Sequence, residues 1–435
     1  MTRLARLLGV TVLVGVVLAG PGQVSQMSKA RADATITLTL PIPPSCCVKP
    51  IQMVYDLFKK SHPNVKLALV NTPNNLTAAL TAGNAPDLIS VDPGSAKTYY
   101  KAGYTIPMNA YYKKYGWDKK YYAADRDSFL VNGNYVGIPY DDEGIFLEYN
   151  ATMFKQYGWS VPTDYNKLLR LSQQIQQKGI IPFAWGTADC QACDEWWLST
   201  IVNSVLGPQD TKQLYSGNVS WTDPRIQAGL QRYVDYYQKG YITAKKSFAT
   251  SMNGAQALFL RGKAAMMING TWAFGTVTGS VAPTFELGFA IFPSWQPGGK
   301  PIFPLGTGGG YEINAKAKHP ELLAALLNGW FDPSVEREMA VEGSPVPARI
   351  DYSHMGLKPA VLNGLKMMAD ARKNGTAGYV DYAWASPNVI AYLEAEGATL
   401  YLQKSSVAAW CQKADKQKQK DKAAGTLVPL ADFGQ

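Results

Sequence analysis

Thr35-Ile36-Thr37-Leu38-Thr39-Leu40 opens the stretch of sequence that decides the fold. Polar and apolar residues alternate along it, which predicts a strand with one buried face. Pro41, Pro43 and Pro44 end it. Ile51, Val54, Tyr55 and Phe58 then recur at i, i+3, i+4 and i+7, the inward stripe of a helix. Val65 to Val70 predicts a second strand. Leu76 to Leu80 predicts a short helix stopped at Gly83-Asn84, and Leu88-Ile89-Ser90-Val91 a third strand before a turn at Asp92-Pro93-Gly94. Strand, helix, strand, helix, strand is the pattern of an α/β domain built on a mostly parallel sheet.

The alternation continues. Gly144 to Tyr149, Ile180 to Phe183, Ala264 to Ile268 and Glu312-Ile313 predict strands. Thr163 is expected to cap a helix with the stripe Tyr165, Leu168, Leu169 and Ile175, closed by Gly179. Asp194 to Leu206 is expected to be helical. Thr222-Asp223-Pro224 starts a helix with the stripe Ile226, Leu230, Tyr233, Val234 and Tyr237, closed by Gly240. Pro320 to Trp330 and Pro333 to Val341 predict consecutive helices, and the C-terminal third is helix-rich. Lys413 to Lys422 reads as a solvated helix end or tail.

The chain has 435 residues, 46% of them hydrophobic and 17% charged, which predicts a globular body of more than one domain. The net charge is +9, but Arg3, Arg6, Lys29 and Arg31 fall in the first 32 residues. The remainder holds 38 basic against 33 acidic residues, too dilute an excess for nucleic-acid binding. His62, His319 and His354 are the only histidines and are far apart, so a histidine-rich metal centre is not expected. No metal and no cofactor is called for.

Arg3 and Arg6 precede a 14-residue uncharged run, Leu7 to Gly20, shorter than the roughly 20 residues of a spanning helix. Ala30-Arg31-Ala32 follows as a cleavage pattern, so residues 1–32 are expected to be an export signal peptide and the mature chain to start near Asp33. A buried helix or an uncleaved anchor is the alternative. Leu18-Ala19-Gly20 is followed by Pro21, which gives no cysteine to acylate, so a lipoprotein is not expected. The exported body is expected to be soluble, in the periplasm or at the outer face of the cell membrane.

Export permits disulfides. The five cysteines lie at 46, 47, 190, 193 and 411. Asp189, Asp194 and Glu195 around the Cys190–Cys193 pair would raise a thiol pKa, against a redox role, and no second Cys or His pair completes a zinc site. A local structural disulfide between Cys190 and Cys193 is the expectation. Whether Cys46 or Cys47 bridges to Cys411 stays open.

Six segments together resemble the extracellular solute-binding proteins of bacterial ABC transporters, of the carbohydrate-binding type similar to maltose-binding protein. They are Ala85-Pro86-Asp87-Leu88-Ile89 with Asp92 and the segment 99–107; Asn134 to Asp141 with Leu147-Glu148-Tyr149-Asn150 and Met153-Phe154; Val161-Pro162-Thr163 with Leu168-Leu169; Phe259 to Trp272; Gly308-Gly309-Gly310-Tyr311 with His319-Pro320-Glu321; and Gly343-Ser344-Pro345-Val346-Pro347. They stand in the family's order over roughly residues 35–350. The loop Ile42-Pro43-Pro44-Ser45-Cys46-Cys47, the Cys190–Cys193 insertion and residues 370–410 depart from the pattern.

The resemblance implies two α/β lobes with a ligand cleft between them and hinge crossings near 142, 292 and 331. Residues 33–142 with 292–330 would form the first lobe, and 143–291 with 331–435 the second. It implies a non-enzymatic monomer that captures a carbohydrate ligand and docks on the transmembrane subunits of an ABC permease.

A sugar presents an apolar CH face to a flat aromatic and a rim of hydroxyls to carboxylates and amides. Trp272, after the Asn269-Gly270-Thr271 loop, matches the family's stacking aromatic, with a lobe-core tryptophan as the alternative, and Asn269 in that loop is a further candidate contact. Asp141 and Asp142 fall at the first crossing, as ligand contacts or as a hinge loop. Gly308 and Gly309 would let backbone approach a ligand, or serve as a hinge turn. Asp92 follows the third strand, and Trp185 follows a strand end, where open sheets bind ligands. Tyr311, Arg349 and Trp384 complete the candidate contacts, and Trp196 and Trp197 stand beside them; packing explains each of these five as well. An exported glycoside hydrolase, the same scaffold carrying a polyamine or iron, and an adhesin without a small ligand are the rival readings.

Overall fold

The computed structural model describes residues 36–43, 47–73, 75–274, 285–427, 430 and 432–433. The expected signal peptide over 1–32, its cleavage site and Cys46 lie outside the described residues. In chain order the first elements are β1 (Ile36–Pro41), α1 (Val48–Ser61), β2 (Val65–Val70), α2 (Leu76–Ala82), β3 (Leu88–Val91), α3 (Pro93–Lys101) and α4 (Ala123–Asp127). Then come β4 (Ile138–Pro139), β5 (Glu143–Asn150), α5 (Tyr165–Gln177), β6 (Ile181–Ala184), α6 (Glu195–Tyr215), α7 (Pro224–Gln238), β7 (Ala264–Gly270), β8 (Leu287–Ile291), β9 (Phe303–Gly306) and β10 (Gly310–Ile313). The chain ends in α8 (Pro320–Leu327), α9 (Pro333–Glu342), α10 (Pro359–Lys373), β11 (Ala377–Tyr379), α11 (Asp381–Trp384), α12 (Pro387–Tyr401) and α13 (Val407–Ala424).

Two groups of strands organise the molecule. β1 and β2 pair in parallel, and β3–β10–β4 pair antiparallel beside them. Thr39 ties the two parts together, because its backbone N–H and its hydroxyl both reach the Asp87 carboxylate at 2.8 Å. The second sheet runs β11–β9–β5–β7–β6, with β8 also on β5. β6 with β7 and β9 with β11 are parallel, whereas every partner of β5 among the described residues is antiparallel to it. The expected mostly parallel sheet is therefore corrected to mixed sheets. The reason lies in the connections: β5 and β10 arrive by crossing from the other sheet and run against their neighbours, where a βαβ crossover would have run with them.

Each sheet has its own core. Leu38, Leu40, Ile51, Val54, Tyr55 and Phe58 pack with Leu323, Trp330, Val335 and Met339 in the first. Ile145, Leu147, Phe183, Trp197, Ile201 and Tyr233 lead the second, with α5, α6, α7 and α12 around them. Four local signals differ in detail from expectation. Asp164, not Thr163, caps α5, accepting the N–H of Asn166 at 3.0 Å. Asp92-Pro93-Gly94 is a helix start and not a turn: Asp92 accepts Ser95 N–H at 2.8 Å and Pro93 sits at the first helical position. α6 continues to Tyr215 and breaks at Gly207 (φ 76°) before Pro208. The lysine-rich segment is the second half of α13, and it is tethered: Lys418 is buried beside Asp415, and Asp421 accepts from Ser386 Oγ at 2.6 Å and Asn388 N–H at 3.0 Å.

The chain crosses between the two cores at different places from those expected. Residues 140–142 join β4 to β5. The second connection is 307–309, not near 292, because β9 pairs with β5 and β11 in the second sheet while β10 belongs to the first. The third lies after α9, not near 331, because Val335, Met339, Val346 and Ala348 still pack in the first core. Residues 292–306 and 331–348 thus exchange lobes relative to the sequence-based division. Cys47 is buried in the first core and Cys411 in the second, so these two are not bridged to each other. The Sγ atoms of Cys190 and Cys193 are within bonding distance, with Cα atoms 5.4 Å apart.

Candidate functional site

A cavity of about 500 Å³ opens where the two halves face each other. One wall is the start of α3: Asp92, Ser95, Thr98 and Tyr99. Gly308 of the second connection forms the back, and Tyr382 and Glu394 of α11 and α12 form the far wall. A smaller hollow of about 290 Å³ shares Asp92, Ser95, Tyr99 and Gly308 and adds Tyr140 and Gly309. A further hollow of about 480 Å³ sits between α1 and β2, with Lys59, Lys66 and Leu69 in its lining, and involves no connecting segment.

The connecting segments lie against one another behind the cavity. Tyr140 N–H donates to Gly309 O at 3.1 Å, Gly309 N–H to Asp141 Oδ1 at 2.7 Å, and Asp142 N–H to Pro345 O at 2.7 Å. The packing is close: a Cβ on Gly309 would stand 2.7 Å from the Tyr140 ring, and one on Gly308 would displace the Glu143 carboxyl, whose carbon would be 2.3 Å away. Arg372 of α10 reaches both Asp142 oxygens at 2.7 Å and Asp125 of α4 at 3.5 Å, and Thr307 donates to Asp125 at 2.9 Å. Burial pushes Asp142 up to about 7 against the pull of Arg372.

Carboxyls gather behind the far wall. Burial raises Glu143, and the neighbouring Tyr382 and Asp141 pull the other way. Burial raises Glu195 further, reinforced by the charges of Asp381, Glu394 and Glu143. Asp381, bonded by Tyr215 and Ser199, is pushed up to about 7 by burial. Glu394 is raised by burial and then by Asp92 across the cavity. Trp272 is half-buried, with ring centroids 4.9 Å from Trp196 and 6.5 Å from Tyr382, so an aromatic flank runs to the cavity wall. Among the described residues no cluster of three metal-ligating side chains occurs.

The structure brings together only part of the candidate set. Asp92, Gly308 and Gly309 line the cavity and its annex. Trp272 stands next to it, while Asp141 and Asp142 are buried in the connection behind. Four others are packing residues. Trp185 is fully buried and donates to Asp194 at 3.1 Å; Trp384 is fully buried and donates to Leu305 O at 2.9 Å. Tyr311 stacks on Trp330 in the first core, and Asn269 is buried on β7 near Glu148. In each case an element end that points toward a cleft in sequence carries a side chain that fills the sheet-facing interior instead. Arg349 is exposed and its N–H bonds Lys120 O, away from the cavity. Trp197 is fully buried, and Trp196 backs Trp272. Sequence reasoning missed Ser95, Thr98, Tyr99, Tyr382 and Glu394. The Asp92-Pro93 cap was the available signal for the first three, since it starts a helix at a strand end; nothing in the sequence pattern singled out the last two.

The sequence profile of the family described as bacterial extracellular solute-binding protein matches residues 49–334. The chain is similar to a multiple sugar-binding protein of Streptococcus mutans serotype c, 24% identical over 306 residues covering 67% of this chain and 70% of the other. Its fold is similar to that of a chitin oligosaccharide binding protein, with a TM-score of 0.77 at 20% identity over 89% of this chain and 99% of the other. A protein described for xylan utilization by the thermophilic bacterium Caldanaerobius polysaccharolyticus superposes with a TM-score of 0.75 at 21% identity, over 88% and 100%.

Proposed function

The chain belongs to the family of bacterial extracellular solute-binding proteins, and from that premise we propose that it captures a sugar or oligosaccharide between its lobes and delivers it to an ABC permease. The observation that carries the reading is the cavity of about 500 Å³ lined from both sides, polar at Asp92, Ser95, Thr98 and Glu394 and aromatic at Tyr99 and Tyr382. Hydroxyls and carboxylates bond a sugar rim, and flat rings cover its CH faces. Trp272 extends that aromatic flank. Residues 140–142, 307–309 and 343–358 serve as the hinge about which the lobes close on the ligand. Asp141 and Asp142 belong to that hinge and act behind the ligand, not on it.

The family is one of binding proteins, so no turnover is expected. Multiple sugar and chitin oligosaccharide recognition in similar proteins supports a saccharide ligand here. We also propose export by the 1–32 signal, a monomeric mature protein without a lipid anchor, and a Cys190–Cys193 disulfide formed after export.

The test is a thermal-shift screen of residues 33–435 against mono- and oligosaccharides. A ligand at 100 times its dissociation constant stabilises the folded state by about 2.7 kcal/mol, enough to read as a shift. A shift with no product formed supports the proposal; turnover, or no shift with any saccharide, refutes it.

A further inference from the structure

The chain carries an excess of basic residues, 42 against 33 acidic, yet among the described residues no Lys, Arg or His lines the cavity or its annex. The charged side chains that do line them are both carboxylates, one from each side. Asp92 stands at the start of α3 on one wall and Glu394 in α12 on the other, close enough that Asp92 opposes ionisation of Glu394. Glu143 lies directly under Gly308 at the back. Behind Tyr382, Asp381 Oδ2 is fully buried without a hydrogen-bond partner, and Asp381 and Glu394 together oppose the charge of Glu195. The nearest cation on α3 is Lys97, one turn beyond Asp92. It is buried and lines neither hollow, and burial pushes its ammonium down to about 7, with Lys101 adding to the fall and Asp92 opposing it. Closing the lobes on a neutral ligand would bring like charges together in a site drying out, where their repulsion strengthens.

We infer that the ligand is a cationic saccharide, an amino sugar whose ammonium sits between Asp92 and Glu394. The inference rests on the saccharide reading above and adds the charge. An ammonium offers three donors to carboxylates that otherwise repel one another, and its sugar ring keeps the aromatic flank of Tyr99 and Tyr382.

The experiment is calorimetric titration of the mature protein with mono- to trisaccharides, each as free amine, N-acetylated and all-hydroxyl forms, below the pKa of the amine. The expected result is that the amine form binds at least roughly tenfold tighter than its two neutral counterparts, with the preference falling as salt is raised. Glu394→Gln should remove most of that preference. Asp92 is unsuited to the same substitution because it caps α3. If Glu394→Gln does not fold, the comparison of the three forms and the salt series on the unsubstituted protein still decide. Neutral forms binding as tightly as the amines would overturn the inference and leave the saccharide reading standing. Spermidine binding with no saccharide of any charge would overturn both.

Discussion

Replacing Arg372 with methionine removes the cation from the buried cluster that joins α4, the 140–142 connection and α10. Its side chain is only 5% exposed, and those of Asp142 and Asp125 are 4% and 0%. Nη2 lies 2.7 Å from both Asp142 oxygens, and the guanidinium stands 4.4 Å from the Tyr122 ring centroid. Methionine keeps most of the apolar stem and loses the cation, with its contact to the Tyr122 ring, so the loss is chiefly electrostatic. Stranding a buried carboxylate by deleting its partner costs about 3–5 kcal/mol. Asp142 sits near neutrality even with Arg372 present, so without it the carboxyl should be protonated over a wider range, and the penalty should shrink on acidification. The assay is urea unfolding followed by tryptophan fluorescence at pH 8 and pH 5, for Arg372→Met, Asp142→Asn and the double variant. We expect the full loss at pH 8, a smaller one at pH 5, and a coupling of about 1–3 kcal/mol between the two sites. A loss under about 1 kcal/mol at pH 8, or strict additivity, would show that the cluster does not hold the lobes together and would refute the reasoning.

The other expectations concern pH, the third connection and the aromatic flank. Glu148 is pushed up to about 8, and Asp142, Asp194 and Asp381 to about 7, each by burial first. A carboxyl whose folded pKa is raised contributes stability that is complete below its unfolded value near 4 and is lost as pH rises through the folded value, so the melting temperature should fall from pH 5 to pH 8; a rise would contradict these burials. Gly343 has φ 86°, and a Cβ there would stand 2.2 Å from Thr271 O, so Gly343→Ala should cost at least about 2 kcal/mol, read by urea unfolding; no loss would mean the connection relaxes freely. Trp272→Ala should lower saccharide affinity by roughly tenfold while leaving unfolding within about 2 kcal/mol of the unsubstituted protein. Unchanged affinity with a large stability loss would assign Trp272 to the core.

The first lobe was legible because its elements carry clean periods. Leu38 and Leu40 alternate with threonines, and the stripe at Ile51, Val54, Tyr55 and Phe58 has one apolar face, all buried in the structure. The lobe assignment of residues 303–306 was not legible. Phe-Pro-Leu-Gly is a short, wholly buried run, and such a run states that it is covered but not by which sheet. Two aromatic candidates lie in the interior for a related reason: Trp185 and Trp384 stand at element ends, where a cleft is expected, but large rings bury more area in a core than at a cleft rim. Glu394 was invisible because helical periodicity in α12 marks the core stripe at Val389, Leu393 and Leu400, and the cavity face between those positions has no pattern of its own; Tyr382 lies in α11, whose four residues are too few to show a period. The run of lysines in α13 hid Asp421, whose hydrogen bonds to Ser386, Asn388 and Val389 hold the start of α12 and so the far wall of the cavity.

The central claim is that a ligand bridges the two lobes in the cavity between α3 and α12. The crystal structure of the mature protein with the saccharide identified by thermal shift tests it most directly. The account predicts saccharide density within hydrogen-bond distance of Asp92 or Ser95 on one side and of Glu394 on the other, with a ring against Tyr382 or Trp272. Density held by one lobe alone, or seated in the hollow between α1 and β2, would contradict it.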